Sequence, residues 1–238
     1  MELSLTDHLV IPLVVAASLV EWLWYWPRMC ARVDEPGTRS RVYRNLIILE
    51  WGISAIVIVT WVVRGRSWSA LGLGVGRPLG LAIGFALFAF YVVTAVRLRR
   101  AILSSPERLE RMARRMTGAE PLVPRTTAER RLFLLLALTA GVCEELIFRG
   151  FVPWYLAPWT GMTLAIVLAS LVFGFGHVYL GPSHVPRTAV VGLVFALIVL
   201  AAGSLWPAIA LHAVMDIVSG DLGSRALVQA ERRGGVPA

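Results

Sequence analysis

Long apolar runs, separated by shorter polar stretches rich in arginine, recur along the 238 residues of the chain. Several approach or exceed 18 residues, the length that carries a helix across a bilayer core of roughly 30 Å. The runs are continuously apolar, whereas the strands of a membrane barrel alternate at every second residue. The pattern therefore predicts an all-α fold, a polytopic transmembrane helical bundle. Seven spans are expected, over about 9–26, 45–63, 78–96, 132–152, 162–179, 188–202 and 205–219. Only Gly203 and Ser204 separate the last two. A polar segment, 97–131, lies between the third and fourth spans. Its stretch 106–116 (PERLERMARRM) reads as a basic amphipathic helix lying on the membrane surface. The loop 153–161 is expected between the fourth and fifth spans.

Composition agrees with the pattern. The chain is 57% hydrophobic, with a mean hydropathy of +0.70, and a soluble domain of this length would present far more polar surface. The net charge is +8, and all 23 basic residues are arginine. They cluster beside the spans rather than on one soluble domain, so the charge implies no nucleic-acid partner. It sets orientation instead. The 28–44 loop has five arginines and the 97–131 segment has ten, which places both in the cytoplasm, the N-terminus outside and the C-terminus inside. The 64–77 loop, with three arginines, disagrees. The arginine usage suggests a bacterial inner (plasma) membrane. Cys30 and Cys143 suggest no disulfide framework. The opening MELSLTDH lacks a basic region, so the first apolar run is expected to be a retained span.

Ionisable groups inside apolar runs carry the chemical information. Each costs about 2.5–3.5 kcal/mol at a helix centre and needs a partner or water. The candidates are Glu21, Glu50, Glu144, Glu145, Arg149, His177, His212 and Asp216. Glu21 and Glu50 lie near span ends, and interfacial positions are expected for them. Glu145 and Arg149 are four apart and share a helix face. Their pairing leaves Glu144 about 100° round the helix without a local cation, the setting of a general base. Glu145 with Arg149 could equally be a structural pair. His212 and Asp216 are also four apart, so the carboxylate could orient the imidazole or share a ligand with it. A lone membrane histidine such as His177 is commonly a packing group. Three polar groupings on three spans favour one shared site.

These blocks read EELIFR (Glu144 to Arg149), FGFGH (Phe173 to His177) and HAVMD (His212 to Asp216). In order and spacing they resemble the EExxxR, FxxxH and HxxxN motifs of the CAAX-protease and bacteriocin-processing (CPBP, or Abi) family of intramembrane proteases. The resemblance divides the chain into N-terminal spans with a basic cytoplasmic segment (1–131), a catalytic core bundle (132–220) and a flexible cytoplasmic tail (221–238). It implies hydrolysis of a peptide bond in a membrane-associated protein or peptide. Glu144 would activate water, His177 would position it and His212 would stabilise the oxyanion, with Glu145, Arg149 and Phe173 in support. Asp216 departs from the family's frequent asparagine. It would be protonated, or orient His212, or bind metal. Zinc could be held by Glu144, His177, His212 and Asp216. The chain has no HExxH, and the metal-independent route is preferred.

Rival readings are weaker. Ser54 in GISA departs from a rhomboid-type GxSG by one residue. Cys143 is a buried apolar thiol. An aspartyl dyad needs two membrane aspartates, and only Asp216 qualifies. The alternative of another class is a non-catalytic membrane scaffold, or an immunity or transport protein of the same fold.

Overall fold

The computed structural model describes residues 3–116 and 118–232, and these are helical throughout with short connecting turns. Helix α1 (Leu5–Val20) opens with a capping box. The Asp7 carboxylate accepts from the Ser4 backbone N–H at 2.7 Å, and the Ser4 hydroxyl accepts from the Asp7 N–H. A π-helical stretch, Glu21–Tyr25, carries the rod on into α2 (Trp26–Cys30). Helices α3 (Thr38–Val63), α4 (Pro78–Leu103) and α5 (Pro106–Arg115) follow. Thr126 and Glu129 form a second capping box at α6 (Thr127–Glu145). Another π-helical stretch, Leu146–Phe151, joins it to α7 (Val152–Gly176). The last two helices are α8 (His184–Ala202) and α9 (Trp206–Arg232). Each π-helical stretch ends just before a proline, Pro27 or Pro153. The proline ring displaces the carbonyl four residues back, which widens the preceding turn.

Five helical rods among the described residues are long and apolar enough to cross a membrane. The protein is a multi-pass helical membrane protein. One of these rods, Thr127–Gly176, has 50 residues. It bends back at Gly161 (φ 74°, ψ 157°), a conformation that glycine adopts without a side-chain clash. The return is visible in the contact of Phe148 with Phe173, whose ring centroids are 5.2 Å apart. The fourth and fifth expected spans are thus the two arms of one bent rod. The loop expected at 153–161 is helical as far as Thr160, because Phe151 and Trp154 are buried and hold it against α1 and α3. Helix α9 covers the seventh expected span, but it is not among the rods apolar enough to cross a membrane.

Two other expectations are corrected. The apolar face of α5, with Leu109 and Ala113, packs on Ala226, Leu227 and Ala230 of α9 and not on lipid. For the same reason the tail expected to be flexible from residue 221 continues as helix to Arg232; residues 233–238 lie outside the described residues. The arginine surplus of the 64–77 loop also has a structural use. Arg66 bonds the buried Asp7 at 2.6 Å and lies 4.6 Å from the Trp154 ring, tying the loop to α1 and α7.

Close contact between α6 and α9 decides where the site forms. A Cβ on Gly141 would stand 2.9 Å from the Ala213 Cβ and 3.0 Å from its backbone nitrogen. Gly141→Val should therefore push α9 off α6 and cost about 1–3 kcal/mol. Gly52, with nothing within 4 Å of the same position, should accept valine. Thermal unfolding in detergent micelles distinguishes the two, with a lowered midpoint expected for Gly141→Val alone. At the other end of α9, Asp221 accepts from Arg99 at 2.7 Å and from Arg225 at 2.8 Å. Burial raises its carboxyl pKa, but the two guanidinium bonds outweigh burial and hold it below its ordinary value of 3.8. A depressed carboxyl stabilises the fold above its unfolded pKa and loses that contribution as pH falls through the folded value. The α4–α9 tie should therefore be intact at neutral pH and weaken below about pH 3.8. Asp221→Asn should flatten the acid limb of a stability–pH curve.

Candidate active site

Glu144 and Glu145 are neighbours with different surroundings. Glu145, at the last position of α6, is fully buried (0% exposed). Its Oε1 accepts from Arg149 at 2.8 Å and from His212 Nδ1 at 2.8 Å. The Arg149 guanidinium lies 4.0 Å from the Phe173 ring centroid and 5.4 Å from that of Phe195, contacts in which aromatic faces attract a cation. One carboxylate and one guanidinium thus connect the α6–α7 rod with α8 and α9. The sequence offered Asp216 as a protonated carboxyl, as a metal ligand or as the group that orients His212. The structure gives that position to Glu145, since Asp216 Oδ2 stands 3.6 Å from His212 Nε2, beyond hydrogen-bonding distance. With Nδ1 donating to a carboxylate, Nε2 faces the other way, toward Glu144.

Glu144 lies one residue round the helix, facing a cavity of about 340 Å³. Its Oε2 is 3.7 Å from His212 Nε2. That oxygen is buried and has no hydrogen-bond partner among the described residues. His177, just beyond the end of α7, donates from Nδ1 to the Phe173 carbonyl at 2.9 Å. The bond fixes the tautomer, leaving Nε2 as an acceptor in the neutral ring. Glu144, His177, His212 and Asp216 all line the one cavity, and Phe173 forms part of its wall. Glu145 and Arg149 stand behind it. An acceptor imidazole, a carboxylate and a second imidazole around enclosed space can orient water and take up its proton.

Sequence reasoning missed Glu21 and Glu50 as cavity groups. Both were expected at interfaces, yet both line this cavity. Glu21 is the first residue of the π-helical stretch in the first rod, and Glu50 comes from α3. Their only sequence signal was an acidic residue in an apolar run. Tyr179, stacked on His177 at 6.0 Å, also lines the cavity. Ser54 is fully buried beside Cys143, itself 0% exposed, and neither lines the cavity. Neither is placed as its nucleophile. As for zinc, no group of three His, Cys, Asp or Glu among the described residues is arranged to hold a metal ion. The four donors do not fit as a ligand set in this arrangement.

Fold and site together define a multi-pass membrane protein with a carboxylate–imidazole cavity among its helices. Residues 127–218 match the family model described as type II CAAX prenyl endopeptidase Rce1-like, and this stretch of the chain is similar to that family. The matched segment runs from α6 into α9 and contains Glu144, Glu145, Arg149, Phe173, His177, His212 and Asp216. No curated protein and no solved structure matches the chain.

Removing one partner of a buried ion pair typically costs about 3–5 kcal/mol, because a charge is left uncompensated. Arg149→Met should destabilise the protein on that scale. A double variant, Glu145→Leu with Arg149→Met, should recover part of the loss while still leaving His212 unanchored. Thermal unfolding of the three proteins in micelles checks this.

Proposed function

We propose that the protein is an intramembrane endopeptidase that hydrolyses a peptide bond of a membrane-associated protein or peptide. The observation that carries the reading is the Glu144 carboxylate facing a cavity shared with His177, its Oε2 shut off from solvent, without a hydrogen-bond partner among the described residues and 3.7 Å from His212 Nε2. Water accepted by His177 Nε2 is held for Glu144, which takes a proton as the oxygen adds to the scissile carbonyl carbon. The carbonyl oxygen becomes an oxyanion, to which His212 Nε2–H donates. That donation requires His212 to enter the reaction as the imidazolium, which the Glu145 carboxylate on Nδ1 stabilises. Glu144 then delivers its proton to the departing amine, the C–N bond breaks, and acid and amine are released. Asp216, 3.6 Å from His212 Nε2, adds a negative charge that favours the imidazolium.

The proposed orientation has the N-terminus outside and the C-terminus cytoplasmic in the inner (plasma) membrane. Met116, Ala119, Leu122 and Val123 of the arginine-rich segment line the cavity. A substrate therefore enters from the side on which that segment lies.

Glu144→Gln should lower cleavage of a membrane-embedded reporter by about 100-fold or more, the range of a lost general base. Its thermal midpoint should stay close to that of the unaltered protein. His212→Ala should lose about 100- to 1,000-fold, as for a lost oxyanion donor. Unaltered cleavage by folded Glu144→Gln protein would end the hydrolytic reading and favour a scaffold.

A further inference from the structure

Two carboxylates in the cavity take no part in the hydrolysis proposed above. Glu21 and Glu50 come from the first rod and from α3, outside the family-matched segment 127–218. With Glu144 and Asp216 they bring the lining to four carboxylates, and no arginine among the described residues lines the cavity. Glu50 lies within electrostatic range of Glu144, Glu21 and Asp216. Its Oε2 is shut off from solvent and has no hydrogen-bond partner among the described residues. Acidic groups at membrane depth ordinarily face a partner, and neither Glu21 nor Glu50 has an ion-pairing cation among the described residues.

The surroundings select the kind of cation. No group of carboxylates and imidazoles among the described residues is arranged to hold a metal ion. An organic cation on a flexible stem needs no such convergence, since a guanidinium presents five donors across a plane and can span separated carboxylates. The other walls suit such a stem. Leu46, Leu49 and Ile53 are aliphatic, and Phe148, Phe173 and Tyr179 offer aromatic faces.

We infer that Glu21 and Glu50 form an acidic subsite that receives an arginine or lysine side chain of the substrate next to the bond that is cut. The inference rests on the proteolytic reading for its occupant. The subsite shares one cavity with Glu144, so the basic residue lies within a few positions of the scissile bond.

Two measurements on the full chain in detergent micelles test it. In the first, dodecylguanidinium and dodecanol are compared as probes of thermal stability. The cation should raise the unfolding midpoint and the alcohol should not. In Glu50→Gln, in Glu21→Gln and most of all in the double variant, at least tenfold more cation should be needed for the same rise. In the second, pooled hydrophobic peptides with arginine or norleucine at each position are incubated with the protein, and the cut sites are read by mass spectrometry. Arginine beside the cut should be favoured at least tenfold, and the ratio should fall to about one in the double variant. Cleavage that depends on Glu144 but ignores basic residues in the unaltered protein overturns the inference and leaves proteolysis standing. An equal midpoint rise in the double variant also overturns it. A rise that depends on Glu50, with no peptide cut by the unaltered protein, upholds the acidic subsite and overturns the proteolytic reading.

Discussion

A single buried oxygen, Oε1 of Glu145, fixes the relation between the helices that make the site. It accepts from Arg149 and from His212, both at 2.8 Å, where water does not reach. An anion in low dielectric is tolerable only with close cationic or donor partners. Arg149 is four residues along the same rod, but His212 is 67 residues away on α9. Satisfying Glu145 therefore requires α9 to lie against α6, and the small Gly141–Ala213 contact permits that approach. The same guanidinium rests on rings from α7 and α8. The rotation that buries Glu145 turns Glu144 toward the cavity, because neighbouring helical residues point about 100° apart.

Irregular backbone supplies what straight helices could not. The widened turn at Leu146–Phe151 follows the glutamate pair and holds Arg149, and the widened turn at Glu21–Tyr25 begins with a cavity carboxylate. Such insertions often occur at functional positions, since they redirect side chains without ending the helix. The bend at Gly161 then returns α7 alongside the rod, so that Phe173 meets Phe148 and its carbonyl holds His177. His177 and Glu144 are 33 positions apart in sequence and border one cavity because of that reversal.

The spans and the three polar blocks were legible in the sequence for a simple reason. An ionisable residue inside an apolar run stands out, and i,i+4 spacing states which groups share a face. Glu145 with Arg149 followed that rule. Asp216 shares a face with His212 but stops 3.6 Å from Nε2, and Glu145 from another helix holds Nδ1. Which face of each helix meets protein was not legible. Lipid and protein interior are both apolar, so hydrophobic periodicity separates them poorly. Glu21 and Glu50 were set at interfaces because they lie near span ends, and α5 was assigned to the membrane surface although α9 covers it. The 153–161 segment was expected as a loop between two spans, and buried Phe151 and Trp154 hold it as helix instead.

Glu144 and Glu145 show how environment separates two identical groups. Glu145 has its charge taken up at Oε1 by a guanidinium and an imidazole; Glu144 lines the cavity, with the nearest imidazole nitrogen 3.7 Å away. Acid and base roles are assigned in this way wherever neighbouring carboxylates differ in partners. The matched segment holds that pair and both imidazoles, whereas α1, α3 and the arginine-rich segment complete the cavity wall. On the proposed reading, the chemistry and the choice of substrate therefore belong to different stretches of chain. Residues such as Glu21 and Glu50 can change what enters the cavity while the bonds around Glu145 stay as they are.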